Sequence, residues 1–338
     1  MSDAVPPLLR RLRRRARALD ARVVLPESED PRILRAAAEA ARVGLCRPLL
    51  VGGENTRAAA ETAGVDLPES VEILDPRKDP GRPGMARRLA ASLAKRGHSG
   101  DAETLSLDPL FYANMLLVDG RADAAVMGAV ATTGDTLRAA LRVVGVDPRY
   151  RVVTSCFLMA FPDGRTLVYA DCGVIPRPTP PQLADIAQQA ADAYRDLVED
   201  DPNVALLAFS TKGSAQHESL EPIREALRLL RERRPDFQVD GELQADAALV
   251  PAIAHRKAPD SPVAGRANVM VFPDLNSGNI AYKLTERLAG ARAIGPLLQG
   301  LERPIHDLSR GCSAEDILDT LAIASLDAAR LDAARRKR

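Results

Sequence analysis

Apolar positions along the chain follow two rhythms. "RVVLPESEDPRILRAAAEAARVGLCRPLLVGG" shows both. Val23–Leu25 is a short unbroken apolar run, the pattern of a buried strand, and polar "PESED" follows as a loop. Asp30 suits a helix N-cap and Pro31 the first helical position. Leu34, Ala37, Ala38 and Ala41 then recur at helical spacing, Gly44 stops the helix, and "PLLVGG" reads as the next strand. A strand-helix-strand unit of this kind predicts a parallel sheet with right-handed crossovers. Further strand-length runs, "VEILD" at 71–75 and "AAVMGAV" at 124–130, alternate with helical stretches near 84–96, 109–119 and 134–143. The fold class is therefore α/β.

Near residue 150 the rhythm changes. "RVVTSCFLMAFPDGRTLVYADCGV" holds two long strand-like runs joined by "PDG", where proline presets φ and glycine accepts positive φ, so an antiparallel hairpin is expected. A helix from about Pro181 to Val198 follows, then "VALLAFS" as a strand, a helix near 219–232, "FQVDGEL", a helix near 244–255 and "NVMVFPDL". Helices near 278–290 and 313–330 complete the chain.

At 338 residues the chain is long enough for about two domains. Its 46 basic residues balance 46 acidic ones, which disfavours nucleic acid or a membrane surface as partner and favours small-molecule ligands. Cys46, Cys156, Cys172 and Cys312 form no C-x-x-C pair, which fits a reducing, cytoplasmic compartment. The four histidines show no metal-ligand spacing, so no metal is implied. No apolar run reaches membrane-spanning length. The basic "PPLLRRLRRRARALDAR" reads as a surface helix rather than a transit peptide.

In sheets of this kind ligands sit beyond the carboxyl ends of strands. Three polar loops follow apolar runs: "GAVATTGDTLR", "STKGSA" and "DLNSGN". Each brings main-chain N–H groups, hydroxyls and a helix start, which together lean toward anion binding. The chain has no G-x-x-x-x-G-K-[ST] and no G-x-G-x-x-G after its first strand, which disfavours a Walker-type or simple dinucleotide site.

"HDLSRGCSAEDI", His306 to Ile317, supports two accounts. Ser313 followed three residues later by Asp316 makes an acidic capping box, with Ile317, Leu321, Ala324 and Ala328 as the buried face of the last helix. The same residues carry the groups that acyl transfer between a thiol and phosphate requires. Asp316 is a candidate base for the thiol, Ser309 a donor to the acyl oxygen, and Arg310 a bidentate phosphate ligand. Cys312 has no implied histidine partner and reads as a lining residue rather than an acyl carrier.

"PIHDLSRGCSAEDI" resembles the C-terminal signature of phosphate acetyltransferases, also called phosphotransacetylases. "VVLPESEDPRIL", "GAVATTGDTLRAAL", "FSTKGSA" and the collinear run from "DGELQADAALV" to "IGPLLQGL" resemble the same family, so that the likeness spans residues 20 to 328. The resemblance implies reversible exchange, acetyl-CoA plus phosphate giving CoA plus acetyl phosphate, by direct attack in a ternary complex. CoA, acetyl-CoA, phosphate and acetyl phosphate are then substrates, with no separate cofactor. Asp316 matches the family's base, and Ser309 and Arg310 match the positions that hold the acetyl carbonyl and the phosphate. Substrate-binding candidates are Arg138, Arg287, Cys312, Ser210, Thr211, Lys212, Asn279 and Lys283. The implied fold is similar to that of isocitrate and isopropylmalate dehydrogenases: two α/β domains with mostly parallel sheets and an active-site cleft between them. Residues 1–148 plus 297–338 form the first and 149–296 an inserted second, in a cytoplasmic homodimer.

The chain departs from the family pattern in two informative places. Aligned on Gly97, an arginine expected to help bind CoA falls on Leu93, leaving Arg88, Lys95 or Arg96 as substitutes. His306 replaces a usual asparagine and reads as a loop hydrogen-bonding residue. Three rival readings stay open: a phosphate butyryltransferase-like enzyme with a longer acyl pocket, a metal-dependent hydroxyacid dehydrogenase, and a non-catalytic acyl-CoA-binding relic.

Overall fold

The structure, a computed structural model, describes residues 5–336. The chain forms two compact units. One is Leu9–Asp147 with the chain from Leu301 onward; the other is Pro148–Gly300, with which residues 5–8 group. In chain order the strands are β1 (Arg22–Leu25), β2 (Arg47–Val51), β3 (Glu72–Leu74), β4 (Ala124–Met127), β5 (Thr154–Ala160), β6 (Thr166–Ala170), β7 (Asn203–Leu207), β8 (Gln238–Leu243), β9 (Val269–Val271), β10 (Arg292–Gln299) and β11 (Ile305–Asp307).

The first unit holds a five-stranded sheet of order β11-β4-β1-β2-β3, parallel at every pairing. The chain builds outward from β1 through β2 and β3, then returns to β4 on the other side of β1. The strand order therefore reverses between β1 and β4, and the loops after these two strands flank the place where ligands bind in such sheets. Helix Pro31–Arg42 begins as its sequence predicts: Asp30 accepts the N–H of Arg32 at 2.8 Å and Pro31 occupies the first turn. Its buried face, Ile33, Leu34 and Ala37, joins Val23, Val126 and Leu321 in one apolar cluster. Each fully buried Leu or Ile here contributes roughly 1.5–3 kcal/mol. The last helix, Ala314–Arg336, packs Ile317, Leu321, Ala324 and Ala328 into that cluster.

The second unit holds a six-stranded sheet of order β10-β5-β6-β9-β7-β8. β5 and β6 form the expected antiparallel hairpin, with Gly164 at φ 90° closing its turn through a bond to Phe161 O. β6, β9, β7 and β8 run parallel, and β10 lies antiparallel on β5. β10 does not show in the hydrophobic periodicity because Gly295 and Pro296 interrupt it. A register shift between Ile294 and Leu297 absorbs that interruption. The helix expected near 244–255 is two pieces, Ala245–Leu249 and Pro251–Lys257, because Val250 before the proline is extended. Helix Glu54–Thr62 and the three-residue β11 were also outside the sequence reading.

Candidate active site

β11 ends at buried Asp307, and the chain leaves the sheet as an exposed turn at Ser309–Gly311. Ser309 holds the turn from both ends: its carbonyl accepts Cys312 N–H at 2.8 Å and its hydroxyl accepts Gly311 N–H at 3.3 Å. The capping box then starts the last helix. Asp316 Oδ2 accepts from Ser313 N at 2.9 Å and from Ser313 Oγ at 2.8 Å, and Ser313 Oγ accepts Asp316 N–H at 3.2 Å. The cap therefore fixes how the half-buried Asp316 carboxylate is presented.

Arg32 ties this turn to the rest of the carboxyl edge. Its Nη1 donates to the carbonyls of Arg310 at 2.7 Å and Cys312 at 3.1 Å. Its Nη2 donates to Ala129 O, and Asp30 grips the same guanidinium through Nε and Nη2. One side chain thus braces the loops after β1, β4 and β11. Sequence reading missed Arg32. The available signal was a cation in the first turn of a helix, where the helix dipole disfavours it, so that a specific partner was to be expected.

Several amides of the three polar loops are already taken by the chain's own groups. Glu27, in the loop after β1, accepts the N–H groups of Ala129, Val130 and Ala131 at 2.7, 2.9 and 2.7 Å. In "STKGSA", Gly213 N–H goes to Glu242, Lys212 N–H to Glu242 O, Thr211 N–H to Ser214 and Ala215 N–H to Ser210. In "DLNSGN", Asp274 caps Ser277 N–H at 2.8 Å. The chain's own groups thus occupy the N–H groups of Ala129 to Ala131, most of those in "STKGSA" and that of Ser277.

Asp307 is a buried carboxyl at the end of β11. Its Oδ2 accepts from Thr133 Oγ1 at 2.5 Å, linking β11 to the first turn of helix Thr133–Val143, while Oδ1 is buried without a hydrogen-bond partner. Gly128 makes room for it: at φ 100°, a Cβ there would lie 2.1 Å from Oδ1. Burial, helped by the nearby Glu27 charge and opposed by the Thr133 and Thr136 hydroxyls, pushes the Asp307 carboxyl up to about 6. Burial likewise pushes the Cys312 thiol up to about 11, against the pull of Arg32, which suits a lining residue better than a nucleophile. A cavity of about 710 Å³ opens at the same carboxyl edge, bounded by Glu27, Asp30, Gly53, Asp75 and Val130.

The remaining sequence candidates lie in two groups. Arg138 is in the first unit, on helix Thr133–Val143, exposed and 2.5 Å from Asp135. Ser210, Thr211, Lys212, Asn279, Lys283 and Arg287 all belong to the second unit. Ser210 donates to Glu242 at 3.0 Å, Thr211 to Gln244 at 3.1 Å, and Lys212 pairs with buried Asp240 at 2.6 Å. Burial disfavours the Glu242 charge, but Arg224, Gly213 N–H and the Ser210 hydroxyl outweigh it and hold the carboxyl at about 2. Asn279 donates to Cys172 O and accepts from Lys283. Arg287 is 76 % exposed, 3.6 Å from Glu286.

Leu93 is 2 % exposed, so that position faces the core and could not present an arginine outward. Arg96 is held at a helix end through Leu141 O and Val144 O, both at 2.7 Å, and Arg88 pairs with Asp119. His306 is not in a loop: it lies buried in β11, with Nε2 3.2 Å from Asp327 Oδ2. Among the described residues no group of three or more His, Cys, Asp or Glu side chains is placed to hold a metal ion.

A family model described as phosphate acetyl/butaryl transferase matches residues 7–325. A phosphate acetyltransferase of Paracoccus denitrificans is 46 % identical over 324 residues, covering 94 % of this chain and 98 % of that protein. One from Nitrosomonas europaea is 43 % identical over 332 residues, and there the match covers 96 % of this chain but 46 % of the relative. Among solved structures, a phosphotransacetylase from Streptococcus pyogenes superposes with a TM-score of 0.90 at 38 % identity, covering 98 % of this chain and 100 % of that one. The architecture alone is also similar to that of a putative 4-hydroxythreonine-4-phosphate dehydrogenase from Salmonella typhimurium, with a TM-score of 0.50 at 12 % identity and coverage of 91 % and 99 %.

Proposed function

Because the chain belongs to the phosphate acetyl/butaryl transferase family, we propose that it moves an acetyl group reversibly between CoA and inorganic phosphate, with Asp316, Ser309 and Arg310 carrying the chemistry. The observation that supports these roles is the braced turn. A hydroxyl, a guanidinium and a helix-start carboxylate follow one another within eight residues, and Arg32 pins the backbone between them.

In the direction of acetyl-CoA synthesis, Asp316 accepts the CoA thiol proton and the sulfur attacks the carbonyl carbon of acetyl phosphate. Ser309 donates to the carbonyl oxygen as it gains charge. The carbon–oxygen bond then breaks, and its electron pair leaves with phosphate, which Arg310 holds through paired N–H groups. A carboxylate near pKa 4 is a weak base for a thiol near 8.5, so neighbouring guanidiniums must share the work by stabilising the thiolate. Arg138 is proposed as a further ligand for the anionic substrates. Asn279, Lys283 and Arg287 are proposed to contact CoA, and Ser210 and Thr211 to support them. Lys212, committed to Asp240, acts as a brace in this reading.

CoA and acetyl-CoA enter as substrates. The four cysteines are buried and form no disulfide, which suits a cytoplasmic setting, and among the described residues no helix is long and apolar enough to cross a membrane. A homodimer is supported by an apolar stripe on helix Leu275–Ala289, where Ile280, Leu284 and Leu288 are 56, 53 and 81 % exposed at four-residue spacing. The deciding experiment is thiol release from acetyl-CoA with and without phosphate. Phosphate-dependent release supports the reading, butyryl-CoA in the same assay sets the acyl range, and inertness toward every acyl-CoA rejects it.

A further inference from the structure

A second concentration of guanidinium groups lies at the other edge of the five-stranded sheet. Arg88, Arg96, Arg303 and Arg335 line a cavity of about 220 Å³ floored by Met85, Leu89, Met115, Val143 and Val144. Val143 and Val144 close the helix that follows β4, Val118 closes the helix that leads into β4, and Arg303 stands just before β11. A helix that follows a parallel strand runs back along it, so the cavity is at the amino edge. Helix Thr133–Val143 has 11 residues, which places the cavity roughly 16 Å from Thr133 and the Ser309–Asp316 edge.

The local charge is unlike that of the balanced chain. Against the four guanidiniums stand Glu302 on the wall and Asp119, which pairs with Arg88. Arg96 donates to Leu141 O and Val144 O, and Arg335 to Glu302 O at 2.8 Å. Bonds to carbonyls orient these groups without cancelling their charge. Among the described residues, Arg303 pairs with no carboxylate. Four guanidiniums against two carboxylates leave a net positive wall, and guanidiniums suit a tetrahedral dianion, which accepts paired N–H groups. The apolar floor suits a few methylene groups. At about 220 Å³ the cavity lies below the roughly 300–1,000 Å³ usual for a drug-sized ligand, which suits a phosphate with a short tail better than CoA.

We propose that this cavity is a binding site for a small phosphate-type dianion with a short aliphatic substituent, separate from the candidate active site. The ligand is held by Arg303 and Arg335 at the rim, together with the exposed Arg96. The proposal does not depend on the catalytic assignment, because its deciding readout is binding and not turnover.

The test is calorimetric titration of the full chain with n-propylphosphonate, a dianion that supplies no acyl group. The proteins compared are the wild type, Arg310→Ala, the single variants Arg303→Gln and Arg335→Gln, and their double variant. Millimolar or tighter binding should persist in Arg310→Ala. Each single rim variant should weaken it by about tenfold, the effect of losing one charge-assisted pair, while its acetyl-transfer rate stays at the wild-type value. Propylphosphonate should bind more tightly than methylphosphonate. Binding that vanishes in Arg310→Ala and survives in the rim double variant would place the dianion at the other edge and overturn the proposal. So would the absence of any binding to the wild type, or tighter binding of the shorter phosphonate.

Discussion

Arg32 donates to the carbonyl oxygen of Arg310 at 2.7 Å, so a side chain nearly three hundred residues upstream sets the backbone from which the proposed phosphate ligand projects. Arg32→Ala would strip a charged donor from the carbonyls of Ala129, Arg310 and Cys312 and leave Asp30 without its partner. The expected cost is about 2 kcal/mol in stability. A turn displaced by about 1 Å should also lower kcat/KM by on the order of 10². Arg32→Lys should not rescue either loss, because an ammonium cannot span these acceptors at once. Urea unfolding and steady-state kinetics on both variants check this, and a fully active lysine variant would refute it.

Asp316 has two jobs in the proposed scheme, and Ser313 separates them. Ser313→Ala removes the cap from the last helix but keeps the carboxylate, so it should lose about 1 kcal/mol of stability with kcat within a few-fold of normal. Asp316→Asn should lose comparable stability and far more kcat. Equal kcat losses in the two variants would mean that Asp316 acts through the helix and not on the thiol.

Ser309→Ala should lower kcat by roughly 10²–10³ with little change in KM, as expected for a donor that strengthens only as charge develops on the acyl oxygen. A large KM rise at constant kcat would assign Ser309 to ground-state binding instead.

The Asp307 carboxyl is raised to about 6 in the fold, against roughly 3.9 in an unfolded chain. The folded protein keeps a proton that the unfolded chain has already released. This contribution to stability is complete below about pH 4 and is lost as pH rises through about 6. Between pH 5 and pH 8 the loss is about 1.4 kcal/mol. Asp307→Asn cannot titrate, so its unfolding free energy should fall less over that interval by about this amount. Denaturant curves at the two pH values measure it, and an unchanged pH dependence would show that the burial of Asp307 is not expressed as a shifted proton.

Lys212 is paired inside the second unit, and its proposed role as a brace can be tested. It meets Asp240, 1 % exposed, which Arg231 and Ser261 also contact. Lys212→Met should cost about 1–3 kcal/mol and leave the KM values for CoA and phosphate within about threefold. A KM rise without loss of stability would return Lys212 to the substrate.

The parts of this molecule that were legible in sequence are those built by local chemistry. Asp30 before Pro31, the "PDG" hairpin and Ser313 with Asp316 each announce themselves within a few residues, and each forms as read. What the sequence hid depends on distance along the chain. β10 is broken by its own Gly295–Pro296 and becomes a strand only because β5 offers a partner. β11 has three residues, too few for any period to show. Loop amides read as open because nothing in "GAVATT" reveals that Glu27, a hundred residues earlier, reaches them. The same holds for Arg32: its helix position was legible, its acceptors in two other loops were not.

Glu27 behaves as a resident counter-ion built into the chain. Cells are crowded with sulfate, nucleotides and metabolite carboxylates that would lodge in any vacant ring of main-chain N–H groups and compete with the intended reactant. Here three consecutive N–H groups are held by a carboxylate that cannot diffuse away. Discrimination is thereby handed to a few arginine forks, whose selectivity evolution or an engineer can retune one codon at a time.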